Sequence, residues 1–227
     1  MSLAIVIPVY NEEKNIINLI NQWKKEISKN YSKSYKFIII NDGSTDRTLS
    51  VLNKFKKNKK FKIINKKNEG YGLTCLFGYK QAILENFLFI LQIDADNQCD
   101  PIYFKKIIQQ SKKNDIIFGF RVSREDGFLR LVFSRILSCI IFLRSGRYLK
   151  DPNVPYRLIK TEILKKVINK IPKKINLSNC YLTYLLEKDF EIKWIKINFR
   201  KRLFGNTHHN FLSMIKMLFN LIIFFKL

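Results

Sequence analysis

The chain has 227 residues and an apolar fraction of 47%, which leaves room for one large domain, or one domain with a small appendage, around a sizeable core. Lys and Arg number 42 against 18 for Asp and Glu, a formal net charge of +24, so the expected partners are anionic: nucleic acid, acidic lipid headgroups or phosphorylated substrates. Four scattered cysteines with no CxxC pair argue against a disulfide framework or a zinc site and suit reduced thiols in a cytoplasmic protein. The joint richness in Lys, Asn and Ile also fits a bias of coding composition, which would account for many of the lysines.

The first half alternates short β-rich runs with helical patterns, the signature of a parallel α/β sheet. Residues 3–9 form a continuous apolar run that reads as a first strand, so no signal peptide is expected. Ile16, Ile20, Trp23 and Ile27 then recur at three- and four-residue steps, predicting a helix with one apolar face. A second strand is expected over 36–40, and Asn41-Asp42-Gly43-Ser44-Thr45-Asp46 reads as a turn capping the next helix. A third strand is expected over 61–65, and a helix after Asn68-Glu69-Gly70-Tyr71-Gly72 running to about Asn86. Residues 87–93 predict a strongly apolar central strand that runs straight into Asp94, with the next strand over 115–120. Residues 128–143 place apolar side chains at helical spacing among Arg130, Arg135, Arg144 and Arg147. Such a basic amphipathic helix suits a membrane surface, and equally a helix packed on the sheet with its arginines in water. Trp23 and Trp194 read as core.

Ligands of an open parallel sheet bind outside the carboxyl ends of its strands. Glu12, Asp42, Asp94 and Asp96 all fall at those ends. Carboxylates directly after buried strands need a compensating charge, and a divalent cation supplies one. Mg²⁺ takes carboxylate oxygens, substrate phosphates and water, so Asp94 and Asp96 are expected to share a metal with a diphosphate, with Gln98 adding an oxygen. An isolated Asp-x-Asp is common by chance; its place after the central strand gives it weight.

Ile7-Pro8-Val9-Tyr10-Asn11-Glu12-Glu13, Asn41-Asp42-Gly43-Ser44-Thr45-Asp46, Asn68-Glu69-Gly70 and Asp94-Ala95-Asp96 resemble, in order and spacing, the motifs of glycosyltransferase family 2. That resemblance implies the GT-A fold, a mostly parallel central sheet flanked by helices, and inverting transfer from a nucleotide diphosphate sugar with Mg²⁺ or Mn²⁺. It implies that Pro8, Tyr10, Glu12 and Asp42 hold the nucleoside, and that Gly70, Asp94, Ala95 and Asp96 line the nucleotide-sugar site. Many members carry two acidic residues where this chain has Asn41-Asp42, which leaves Asp42 for the base.

The second half resembles the dolichyl- and polyprenyl-phosphate mannosyltransferase branch. Gly119-Phe120-Arg121, Arg130 with Ser134, the Asp151-Pro152 segment expected before a helix, and Arg202-Leu203-Phe204-Gly205-Asn206-Thr207 carry the likeness. It implies that Arg121, Arg130 and Ser134 hold an acceptor phosphate while Arg202 and the metal neutralise the leaving diphosphate. Relatives that glycosylate hydroxyls place an acid at the start of a late helix; here that stretch reads Asn176-Leu177-Ser178-Asn179-Cys180-Tyr181, which favours an acceptor already ionised.

The expected organisation is a GT-A domain over 1–210, including a basic amphipathic segment over 126–147, and an apolar helix over 211–227 for a membrane interface or a second copy of the chain. This predicts a peripheral protein on the cytoplasmic face of an anionic membrane. The alternatives are transfer to a saccharide hydroxyl, a relative that binds nucleotide sugar without turnover, and a basic nucleic-acid-binding protein; the acidic strand ends speak against the last, and no nucleic-acid partner is expected. His208 and His209 suit an exposed loop better than a metal site, and Tyr71 suits a turn or the nucleotide pocket equally.

Overall fold

The computed structural model describes residues 2–124, 128–172, 175, 177–202 and 204. The 211–227 segment, His208 and His209 lie outside the described residues, as do the side chains of Arg130 and Ser134.

One sheet of seven strands organises the chain, in the order β3-β2-β1-β4-β6-β5-β7. Its centre is β1 (Leu3–Val9), every residue of which is buried, flanked in parallel by β2 (Tyr35–Asp42) and β4 (Phe89–Ile93). Strands covered on both faces read as unbroken apolar runs, which is why these were legible in the sequence. Beyond β2 lies β3 (Phe61–Lys66), also parallel.

On one face sits α1 (Ile16–Asn30), burying Ile16, Leu19, Ile20, Trp23 and Ile27 as its spacing predicts. The Trp23 ring meets Phe104 edge-on at 6.0 Å and Tyr156 at 5.6 Å, joining α1 to α4 (Phe104–Gln110) and to the sheet. Between β2 and β3 runs the short α2 (Thr48–Asn53). Against β1 lies α3 (Tyr71–Leu84), where Gly78 faces Val6 so closely that no Cβ would fit.

The second half departs from the sequence reading in one respect. The Asp151-Pro152 segment was expected before a helix, and between the two lies an unforeseen strand, β6 (Tyr156–Lys160), antiparallel to both β4 and β5 (Ile116–Arg124). Only then does α6 (Thr161–Val167) begin. The sheet closes with α7 (Ser178–Asp189) and β7 (Lys193–Phe199), which pairs in parallel with β5. At this edge Ile195, Ile197 and Phe199 point inward while Lys193 and Lys196 face water, a charged edge that discourages further strand pairing. Trp23 is core as expected; Trp194 is half-buried, with its ring edge-on to Phe118 and its Nε1 donating to Glu187 at 3.2 Å.

The basic segment forms α5 (Phe128–Ser145). One of its faces buries Leu137 and Ile141 against Leu149, Leu177 and Cys180, a small cluster apart from the main core. Among the described residues no helix is long and apolar enough to cross a membrane.

Candidate functional site at the strand ends

Because β2, β1 and β4 are parallel neighbours, their carboxyl ends deliver Asp42, the Tyr10–Glu12 loop and Asp94–Asp96 to one edge of the sheet. The first two loops are fastened together. Asn11, at φ 54°, accepts from the Thr45 N–H at 2.8 Å and donates its own N–H to Ser44 Oγ at 3.0 Å. The Glu12 N–H donates to Thr48 Oγ1 at 2.8 Å. Asp46, the expected cap, accepts from Thr48 N at 2.9 Å and from Glu13 N at 3.2 Å. Pro8 is buried within β1 and Tyr10 follows it half-buried.

Asp42, expected to meet a nucleoside base, has a buried carboxylate with several protein partners. One oxygen accepts from Lys66 Nζ at 2.5 Å and Glu69 N at 3.0 Å, the other from Gly70 N at 2.9 Å. The carboxylate is therefore the anchor of the loop that starts α3, and Gly70 enters that helix at φ 91°, a conformation glycine adopts without strain.

Asp94 and Asp96 follow β4, separated by the buried Ala95, and the turn continues through Asn97 at φ 64°. Asp94 Oδ1 accepts from Tyr71 Oη at 2.7 Å and from Gln92 Nε2 at 3.1 Å. Behind it lies a polar network in which Gln92, Tyr79 and Asn179 are buried: Asn179 Nδ2 donates to Tyr71 Oη at 3.3 Å and to Gln92 Oε1 at 3.4 Å, and the Tyr79 hydroxyl sits against Gln92 and Asn179. Burial, and then the adjacent charge of Asp94, hold the Tyr71 phenol far above its ordinary range, so it stays a donor. Burial first, and the Asp96 charge second, push the Asp94 carboxyl strongly upward. Two carboxylates that disfavour each other's ionisation at a strand end are a fitting donor set for a divalent cation. Among the described residues no group of three His, Cys, Asp or Glu is arranged to hold a metal, so the remaining ligands would come from phosphate and water.

Gln98, expected beside the metal, is almost fully buried; its N–H donates to Asp96 Oδ1 at 3.1 Å and its Nε2 to the Arg200 carbonyl at 2.9 Å. It thus ties the segment after β7 to the turn after β4. That segment returns Arg202 to the site, where its Nη2 donates to Glu12 Oε1 at 2.6 Å. Asn15 Nδ2 donates to Glu12 Oε2 at 2.6 Å and to the Phe204 carbonyl at 3.1 Å. Burial raises the Glu12 carboxyl, opposed by its Asn15 and Arg202 partners, and Asp96 lies near enough to raise it further. The structure therefore gathers Glu12, Asp94, Asp96, Gln98 and Arg202 at one end of the sheet.

Arg121 stands in β5. Its guanidinium grips Asp151 through Nε at 2.7 Å and Nη2 at 2.6 Å, with both side chains buried. The residue expected to hold the acceptor phosphate is thus paired with a carboxylate on the segment before β6. Sequence reasoning missed Gln92, Asn179 and Arg157. A signal for Gln92 was present, since a glutamine in an apolar strand two positions before Asp94 must share its side of the sheet.

The profile of Glycosyl transferase family 2 matches residues 4–171. The chain is similar to an undecaprenyl-phosphate 4-deoxy-4-formamido-L-arabinose transferase of Proteus mirabilis, with 23% identity over 97% of this chain and 66% of that protein. It spans just under two thirds of the length of such curated relatives. The fold is similar to glucosyl-3-phosphoglycerate synthase from Mycobacterium tuberculosis in complex with Mn²⁺, UDP and phosphoglyceric acid, with a TM-score of 0.69 and 14% identity over 97% of this chain and 77% of that one. It is also similar to S. aureus TarS in complex with UDP, with a TM-score of 0.60 and 18% identity over 88% of this chain and 59% of that one. With its motifs at the ends of β1, β2 and β4 and most of its length matched, the chain belongs to glycosyl transferase family 2.

Proposed function

We propose that the protein moves a sugar from a nucleotide diphosphate sugar to a lipid phosphate of the polyprenyl type, at the cytoplasmic face of a membrane. The observation that carries the reading is the Asp94–Asp96 pair at the end of β4, with Arg202 brought back to Glu12 beside it. The names of similar proteins support each half: one acts on undecaprenyl phosphate, and others were crystallised with UDP or with Mn²⁺ and UDP.

In this reading Pro8, Tyr10 and Glu12 border the nucleoside, and Asp42 shapes that border by fixing the loop that ends at Gly70. Asp94 and Asp96, with Gln98 adjoining, hold Mg²⁺ or Mn²⁺, which neutralises charge on the diphosphate when bound. Arg202 contributes a second positive charge there, held in place by Glu12. Arg130 and Ser134 stand four residues apart on α5, a spacing that shares a helix face, and are assigned to the acceptor phosphate. Arg121 orients the Asp151 segment next to them. The first turn of α7 offers the amide of Asn179 rather than a carboxylate, and that amide is committed to Tyr71 and Gln92. A phosphate acceptor is already ionised and needs no base, so this favours it over a saccharide hydroxyl.

Calorimetry with a panel of nucleotide diphosphate sugars tests the donor half. Saturable binding of at least one is expected only with Mg²⁺ or Mn²⁺ present, and Asp96→Ala should lose it while staying folded; equal binding without metal would refute the site. Tyr71→Phe removes the hydroxyl that orients Asp94 and should weaken Mn²⁺ affinity about tenfold, by the usual effect of losing a ligand's hydrogen-bond partner. Paramagnetic resonance titration of Mn²⁺ reads this directly, and unchanged affinity would show that Asp94 needs no such support.

A further inference from the structure

Asn179 lies in the first turn of α7, 1% exposed, and the polar atoms of its side chain find partners on other elements. Its Nδ2 donates to Tyr71 Oη at 3.3 Å and to Gln92 Oε1 at 3.4 Å, while its Oδ1 accepts from Tyr79 Oη at 3.3 Å. Gln92 Nε2 donates to the same Tyr71 oxygen at 3.3 Å. The phenol oxygen thus accepts from two amides, one on α7 and one on β4, and this turns its proton toward Asp94 Oδ1 at 2.7 Å. The main chain of Asn179 is fixed from the other side. Its carbonyl accepts from Arg157 Nη1 at 2.8 Å and from Thr183 Oγ1 at 2.9 Å. The same two side chains also reach the Pro152 carbonyl, at 2.7 and 2.9 Å. One residue therefore ties the segment after Asp151, through its main chain, to the strand-end carboxylate, through its amide.

We infer, on the metal reading proposed above, that Asn179 is a positioning residue for the donor site: its amide holds the Tyr71 hydroxyl as a donor to Asp94 and so fixes how that carboxylate meets the cation. Partners behind a ligating carboxylate set its orientation and its affinity for metal. Because α7 carries none of the residues assigned to the metal, the inference gives this late helix a part in donor binding. An amide suits the task, since it is neutral at every working pH and supplies a donor and an acceptor from one planar group.

Titration of the full chain with Mn²⁺, read by paramagnetic resonance without nucleotide or acceptor, tests this. Asn179→Leu keeps the branching of the side chain and removes the donor. Affinity should fall about fivefold, less than for Tyr71→Phe because Gln92 still donates to the phenol. Asn179→Ala removes the same donor with less bulk and should give the same loss. In the Tyr71→Phe background, where no hydroxyl is left to orient, Asn179→Leu should cost less than about twofold more. Thr183→Val isolates a purely structural role: it removes a bond to the Asn179 carbonyl but leaves the amide in place. Its thermal midpoint should drop while Mn²⁺ affinity stays within about twofold of wild type. Wild-type affinity in both Asn179 variants would overturn the inference and leave the metal site standing. So would an undiminished fivefold loss in the Tyr71→Phe background, or an equal loss in Thr183→Val. Failure of the unsubstituted chain to bind Mn²⁺ would instead remove the metal reading itself, and the role of Asn179 with it.

Discussion

Asp94→Asn should reduce metal-dependent transfer by about a thousandfold while making the metal-free protein more stable to heat. Asparagine preserves the shape of Asp94 and can still accept from Tyr71 and Gln92, whose bonds at 2.7 and 3.1 Å both fall on Oδ1. What it removes is a charge that burial and Asp96 both disfavour. The folded-state pKa of Asp94 is raised, so the stability it contributes is complete only below the ordinary carboxylate value of about 4 and is lost as pH rises through its folded value. From about pH 4 up to that folded value of about 8 wild type accumulates this cost as pH rises, and the variant does not. A gain of about 1 kcal/mol, or roughly 2–4 °C in midpoint, is expected at neutral pH in chelator. The pH-dependent decline should be shallower in the variant, and Mn²⁺ should stabilise wild type alone. Equal midpoints and equal pH slopes in chelator would mean that the protein itself already compensates the pair.

The second large effect is structural. Arg157 is the second residue of β6, at 0% exposure, and its guanidinium donates to the carbonyls of Val154 at 2.5 Å, Pro152 at 2.7 Å and Asn179 at 2.8 Å while lying 4.8 Å above the Phe118 ring. It joins the turn before β6 to the first turn of α7, and its charge partly offsets the carboxylate of Asp94. Arg157→Met would fill much of the same space but take the guanidinium from three buried carbonyls, of which those of Pro152 and Asn179 keep only Thr183 Oγ1 as a side-chain donor. A loss of about 3–5 kcal/mol is expected in urea denaturation. Arg157→Lys should recover little of it, because an ammonium cannot reach three divergent acceptors with the geometry of a guanidinium fork. A loss below about 1 kcal/mol for Arg157→Met would show that water or backbone adjustment satisfies these carbonyls.

The parts of the fold that were legible in the sequence are those whose pattern is local. Residues 3–9 and 87–93 are unbroken apolar runs because both faces of a central parallel strand are covered, and Ile16, Ile20, Trp23 and Ile27 mark one side of a helix. The strand β6 was not legible. Its five residues include a buried arginine, and it exists because β4 and β5 flank it, a pairing between distant segments that no local period encodes. The site divides in the same way. Acidic residues at strand ends could be read one strand at a time. Their partners could not: Asp42 meets Lys66 and Gly70, Arg121 meets Asp151, and Glu12 meets Arg202 at a separation of 190 positions. A motif therefore located the carboxylates, while three-dimensional pairing decides which remain for ligands and which hold loops.

The central claim is the chemical identity of the transfer, and its most direct test is product analysis. The purified protein would be incubated with a panel of nucleotide diphosphate sugars, Mg²⁺ or Mn²⁺, and polyprenyl phosphate, and the lipid fraction examined by mass spectrometry. The expected result is a polyprenyl phosphate heavier by one sugar, absent in chelator and absent with Asp96→Ala. A sugar appearing only on a saccharide hydroxyl acceptor would contradict the assignment of the acceptor. The absence of any metal-dependent product, together with no saturable binding of any nucleotide sugar, would contradict the account as a whole.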